Sequence, residues 1–220
     1  MSVATFLLDL LFPPKCAFCG ALTEKDDQGI CPICRRELPW TRELRRRADF
    51  TTGVTAPLYY EGTVRQALLR YKFNGAPARG QTFGQWIAGE LRRQGRDEYD
   101  VVTWAPLSRK RLRRRGYDQA RLLAEAAAKE LSLPCERLLE KVRHTPAQSG
   151  LGTPEARRAN VSGAYALAEP NRAEGKRILL VDDIITTGAT VSECARILLL
   201  GGAVSVHAAA VAVPRKEKKN

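Results

Sequence analysis

Residues 178–190 read Ile-Leu-Leu-Val-Asp-Asp-Ile-Ile-Thr-Thr-Gly-Ala-Thr. An apolar strand ends in two acids, Asp182 and Asp183, and a hydroxyl-rich turn, Thr186-Thr187-Gly188-Ala189-Thr190, then opens a helix. In α/β sheets ligands bind at the carboxyl ends of strands. Backbone N–H groups of such a turn, together with the helix N-terminus behind it, make an anion site suited to a phosphate. Gly188 lets the backbone approach the anion, and the threonine hydroxyls add donors. The two carboxylates cannot sit on the phosphate itself. Their use is to accept hydrogen bonds from sugar hydroxyls, directly or around a hydrated Mg²⁺. A phosphate and a sugar diol held side by side describe a ribose 5-phosphate.

A second chemical feature lies near the N-terminus. Cys16 and Cys19 form one CxxC knuckle, and Cys31 and Cys34 form another after eleven intervening residues. Each pair can clasp one side of a tetrahedral zinc ion, and four thiolates leave no open position for water, so such a zinc is structural. A redox-active CxxC pair is the competing reading. Gly20 suits the chain reversal after the first knuckle. Cys194 lies in a helical pattern and reads as a small buried hydrophobe, and Cys135 follows Pro134 at an expected strand start.

The elements that must position these groups follow from periodicity. Strands are expected at residues 54–60, 101–104, 177–181 and 204–213, and helices at 63–71, 83–93, 118–131 and 189–200. Strands alternating with helices predict an α/β fold with a mostly parallel sheet. The chain divides into an amphipathic N-terminal helix (1–13), a four-cysteine zinc-binding module (14–40) and a basic connector (41–51). An α/β domain (52–213) and a basic disordered tail (214–220) complete it.

Composition bounds the answer. The 220 residues carry 36 Lys+Arg against 24 Asp+Glu, a formal charge of +12, and 44% are hydrophobic. That balance disfavours global disorder, and six cysteines are too few for a disulfide scaffold. No apolar run approaches the roughly 20 residues a membrane span needs, and residues 3–12 lack the flanks of a signal peptide. A cytoplasmic location with reduced thiols is expected. The basic surplus clusters at Arg42 to Arg47, at Arg92, Arg93 and Arg96, at Arg109 to Arg115 and at the C-terminus. Clusters of this kind serve phosphate-bearing partners or form solvated faces.

The segment from Ile178 to Thr190 resembles the phosphoribosyl pyrophosphate (PRPP) loop of type I phosphoribosyltransferases. Other motifs extend the likeness: the paired knuckles, Tyr71-Lys72-Phe73-Asn74-Gly75, Ala105-Pro106-Leu107, Arg115-Gly116-Tyr117-Asp118-Gln119-Ala120 and Asn160-Val161-Ser162-Gly163-Ala164-Tyr165. Along residues 5–213 this series is similar to the ComF family of late competence proteins. Small departures are Trp104-Ala105-Pro106 where valine-proline is usual, and Tyr117-Asp118 where phenylalanine-asparagine is usual.

The resemblance implies a sheet of the type I phosphoribosyltransferase kind, with Asp182 and Asp183 on the ribose hydroxyls and Mg²⁺ and Thr186 to Thr190 on the 5-phosphate. By position it places pyrophosphate at Pro106, Leu107, Ser108 and Arg109, with Arg115 nearby, and a loop at residues 143–151 that closes over the site. Its chemistry would be displacement at ribose C1 by a nitrogen acceptor. The protein would then chiefly position groups and stabilise the departing charge, and it needs no dedicated nucleophile. His144, in the loop, could touch a ligand, whereas His207 reads as structural. Two functions remain open. One is PRPP binding and transfer. The other is a non-catalytic competence module whose arginines, knuckles and aromatics (Trp40, Tyr59, Tyr60, Tyr71, Phe73 and Tyr117) contact single-stranded DNA or uptake and recombination proteins, with the PRPP site kept as a sensor or relic.

Overall fold

The computed structural model describes residues 13–24, 28–41, 44, 46–73, 77–96, 98–145 and 153–215. The expected N-terminal helix, most of the closing loop, Arg42, Arg45, Asn74, Gly75 and the tail from 216 onward lie outside the described residues.

A short helix α1 (Pro32–Glu37) follows the second knuckle. Strands β1 (Val54–Thr55) and β2 (Leu58–Tyr59) come next, then helices α2 (Gly62–Phe73) and α3 (Arg79–Arg93). Strand β3 (Val101–Trp104) leads into α4 (Arg109–Arg115) and α5 (Gln119–Leu131). After β4 (Leu139–Lys141), α6 (Pro154–Val161) and β5 (Tyr165–Leu167), the chain ends in β6 (Arg177–Ile184), α7 (Ala189–Leu200) and β7 (Ser205–Val213). The main sheet runs β1-β7-β6-β3, with β2 also on β7, and all its pairings are parallel. β4 and β5 form a separate antiparallel ribbon.

Two differences from expectation have local causes. The strand expected at 54–60 is split at Ala56-Pro57, because Pro57 has no N–H to give a ladder. Thr41 closes the gap, donating its hydroxyl to the Ala56 carbonyl and its N–H to the Pro57 carbonyl. The basic run at 109–115 is itself a helix, ended by Gly116 in the left-handed region at φ 80°.

The continuous apolar runs of β6 and β7 are explained by burial on both faces. Alternation sorts them: Leu179, Val181, Ala209 and Val211 join a core with α2, α3 and α5, while Ile178, Leu180, Ala208 and Ala210 join one with α7 and the β4–β5 ribbon. On the first face α3 and α5 approach unusually closely. A Cβ on Gly84 would stand 2.5 Å from the Ala126 Cβ, so small residues on both helices are required.

The cysteine module packs on that same face. Phe18, fully buried within the first knuckle, sets its ring 5.3 Å from Phe83 and 5.2 Å from Trp86 of α3, and Trp40 stacks on Trp86 at 5.0 Å. Its apolar residues belong to the domain core instead of forming their own. No helix among the described residues is long and apolar enough to cross a membrane.

Candidate functional site

The Sγ atoms of Cys16, Cys19, Cys31 and Cys34 all lie within 4.8 Å of one another. Zinc–sulfur bonds of about 2.3 Å in a tetrahedron put sulfurs about 3.8 Å apart, and Cys19 and Cys31 stand at 3.6 Å. Backbone N–H groups of Ala21 and Cys34 point at the sulfurs of Cys19 and Cys31, as thiolates favour. Two guanidiniums support a charged cluster: Arg70 donates to the Phe18 carbonyl, and Arg79 feels the Cys16 charge. Each also keeps one buried N–H without a partner. The donor set and its surroundings fit a structural zinc.

β6 delivers Asp182 and Asp183 at its carboxyl end, and the turn to α7 follows. Gly188 caps α7 with φ 85°, and a Cβ there would meet that of Ala48 at 3.1 Å. The first turn of α7 carries no acid, so its N-terminus stays attractive to anions. Asp182, Thr186, Gly188, Ala189 and Thr190 line one small open pocket. Arg46, from the connector, braces the turn from behind by donating to the carbonyls of Thr186 and Pro214.

The acids are electrostatically loaded. Asp183 is 4% exposed; its Oδ1 sits 2.9 Å from Lys72 Nζ, and its buried Oδ2 has no hydrogen-bond partner. Burial, together with the neighbouring Asp183 charge, pushes Asp182 up to about 7. Beside them, β3 pairs with β6, and Ala105 donates its N–H to Val181, so the loop at Pro106-Leu107-Ser108 starts next to the acids. Asp118 holds that loop. One of its oxygens caps α5 at the Arg121 N–H, and the other accepts from the Leu107 N–H at 3.0 Å. Ser108 Oγ lies 2.9 Å from His144 Nδ1, which ties the loop to the segment after β4.

Helical spacing divides the arginine run. Arg111 and Arg115, four residues apart, face inward. Arg111 donates to the Thr145 carbonyl at 3.0 Å, while Arg115 lies 4.9 Å over the Phe73 ring, within the field of Asp183, with its buried Nε and Nη1 unpartnered. Arg109, Lys110, Arg113 and Arg114 are exposed, and none pairs with a carboxylate among the described residues. Of the aromatics weighed as stacking platforms, Tyr71 is fully buried, while Trp40 (against Trp86), Tyr59, Tyr60 and Tyr117 are half-buried. Phe73 is the exception, at 56% exposure.

Three residues had no assigned role in the sequence. Lys72 reaches Asp183 from the end of α2. Lys141 holds the Tyr165 hydroxyl at 2.9 Å, and burial lowers its pKa to about 8. Tyr165 in turn bonds Thr190 of the turn that opens α7. Lys72 and Tyr165 belong to motifs quoted above, and Lys141 carried no signal.

Residues 7–46 match the double zinc ribbon domain family, and residues 118–220 match the phosphoribosyl transferase domain family. The chain is 30% identical over 206 residues to competence protein ComFC of Bacillus subtilis, spanning 89% of this chain and 82% of that one. It is 27% identical over 202 residues to DNA utilization protein YhgH of Escherichia coli, spanning 87% of each. Competence protein F of Haemophilus influenzae is 38% identical over 101 residues, a match spanning 45% of this chain and less than half, 44%, of that relative. The parallel sheet, the four-cysteine cluster and these full-length likenesses together make this chain a member of the ComF family, with a phosphoribosyltransferase domain behind an N-terminal zinc ribbon.

Proposed function

We propose that the pocket at the end of β6 binds PRPP, or a related ribose 5-phosphate, with Mg²⁺. The observation that carries this reading is the combination of unsatisfied groups around the pocket. Asp183 Oδ2 and the Arg115 N–H groups are buried without partners beside an acid-free helix N-terminus. Buried polar atoms are costly to leave unpaired, so such a set marks a place where a ligand completes the bonding. The turn at Thr186 to Thr190 takes the 5-phosphate. Asp182 and Asp183 take the ribose hydroxyls and hold the divalent cation. The loop from Pro106 to Arg109 lies on the pyrophosphate side with Arg115. Mg²⁺ when bound would neutralise the leaving pyrophosphate, and the chain's own residues orient ribose C1 toward a nitrogen acceptor. Calorimetric titration with PRPP and Mg²⁺ tests this. Binding is expected, with loss of more than about a hundredfold in affinity in the Asp182→Asn, Asp183→Asn double variant. Wild-type protein without affinity for PRPP or ribose 5-phosphate overturns it.

A second reading rests on the outward face of α4, where Arg109, Lys110, Arg113 and Arg114 present unpaired charge, with exposed Phe73 against Arg115 of the same helix. The likeness to competence and DNA utilization proteins favours DNA as the partner of this face, and we propose its single-stranded form. Its mark is oligonucleotide binding that weakens steeply with salt.

A further inference from the structure

The Tyr71-Lys72-Phe73 motif ends α2 at a junction of three elements. Tyr71 donates its hydroxyl to the Gln119 carbonyl of α5, at 2.8 Å, and its own carbonyl accepts from Tyr117. Phe73 lies under the Arg115 guanidinium at the end of α4. Lys72, between them, places Nζ 2.9 Å from Asp183 Oδ1, with the lysine side chain 19% exposed and the aspartate side chain 5%. The motif therefore fixes a cation on the α4 side of the acidic pair, at the carboxylate the reading above assigns to ribose hydroxyls and metal.

Resting on that reading, we propose that Lys72 is a ligand-positioning residue that competes with the divalent cation for Asp183, and that PRPP resolves the competition by drawing the ammonium onto its pyrophosphate. The argument is one of charge. An ammonium on a buried carboxylate is a strong, charge-assisted partner, and a dication approaching that carboxylate must displace it or share the oxygen at close range. A displaced ammonium that found no anion would add to the repulsion from the metal and from Arg115. The pyrophosphate of PRPP supplies that anion on the side where Arg115 and the Pro106–Ser108 loop stand. Metal alone should therefore bind poorly, while the metal–PRPP pair binds well. Ribose 5-phosphate lacks a pyrophosphate, so it gains nothing from Lys72.

The test is a set of titrations on the full chain, wild type and Lys72→Met, with Lys72→Gln as the alternative if the methionine variant is poorly folded. Lys72→Arg serves as the charge-keeping control. The probes are Mn²⁺ alone, PRPP with Mg²⁺, and ribose 5-phosphate with Mg²⁺. Removing the ammonium should strengthen Mn²⁺ binding severalfold, weaken PRPP roughly tenfold and leave ribose 5-phosphate no weaker, with PRPP affinity largely restored by Lys72→Arg. Equal weakening of PRPP and ribose 5-phosphate would reduce Lys72 to scaffolding and overturn the inference, as would no change in any of the three. Wild-type protein that binds neither sugar phosphate overturns the phosphoribosyl reading and this one together. Wild-type binding with an indifferent Lys72→Met overturns this one alone.

Discussion

Two buried polar clusters sit at opposite ends of the same sheet, and they differ in completeness. At the amino ends of the strands, His207 Nε2 lies 2.9 Å from Thr55 Oγ1 and Nδ1 lies 3.2 Å from Thr52 Oγ1. Thr55 donates to Gln94 Oε1, and Gln94 Nε2 donates to Glu90. These directions leave Thr55 to accept from His207 Nε2–H and Nδ1 to accept from Thr52, so a neutral imidazole satisfies every partner. At the carboxyl ends, Asp183, Arg115 and Gln119 keep buried atoms unpartnered. Both clusters are polar and enclosed. A closed network holds a fold in register, whereas the open one leaves buried polar groups unpaired at a cost, and it is there that the ligand proposed above would bond.

The clusters also differ in the sign of their pH dependence, which gives the sharpest way to separate them. Burial, with Arg96 adding repulsion, lowers His207 to about 4. As pH falls from the unfolded value near 6.5, the unfolded chain takes up the proton first, so this network loses stability down to about pH 4. The loss is at most about 3 kcal/mol. Asp182 is raised instead, so between its unfolded value near 4 and about 7 stability falls as pH rises. The two slopes oppose each other in the wild type, and single substitutions unmask them.

His207→Gln should give the largest effect: lower stability at pH 7 and, in urea melts from pH 4 to 7, stability that declines as pH rises. An unchanged profile breaks the comparison. Asp182→Asn should stabilise the protein at pH 8 by about 1–2 kcal/mol, less than the full shift implies because its side chain still reaches the pocket surface. A destabilised Asp182→Asn would mean that its carboxylate serves the fold. The smallest effect belongs to the outward arginines. Arg113→Gln with Arg114→Gln should leave stability within about 0.5 kcal/mol and lower the salt slope of single-stranded DNA binding by roughly 1.4. Oligonucleotide affinity unchanged by that pair removes the α4 face as a DNA contact.

The difference between the clusters also bears on what could be read from the chain. The four cysteines were legible because metal ligation uses residues at set spacings, and the strand, turn and helix from Asp182 to Thr190 because they are contiguous in the chain. The alternation that sorted β6 and β7 into two cores was legible for the same local reason. Partnerships across long loops were not. Lys72 meets Asp183 across 111 residues, Asp118 holds Leu107 from the far side of α4, and His207 finds Thr52 and Thr55 at the opposite edge of the chain. The break at Pro57 and the split of the arginine run into inward and outward faces follow from elementary rules, but needed the helix and strand ends in place first.

Arg46 and Ala48 connect these observations to the history such a protein can have. Both lie in the stretch that leaves the zinc module, yet one grips the Thr186 carbonyl and the other stands against Gly188. The passage between the two parts is thus also a wall of the turn at residues 186–190, shared property of a kind that neither part can carry away alone. A zinc ribbon joined in this manner cannot be exchanged for another N-terminal domain like an interchangeable tag, because any swap must reproduce the strand of chain that backs the turn. Inheritance as one piece is built into the packing.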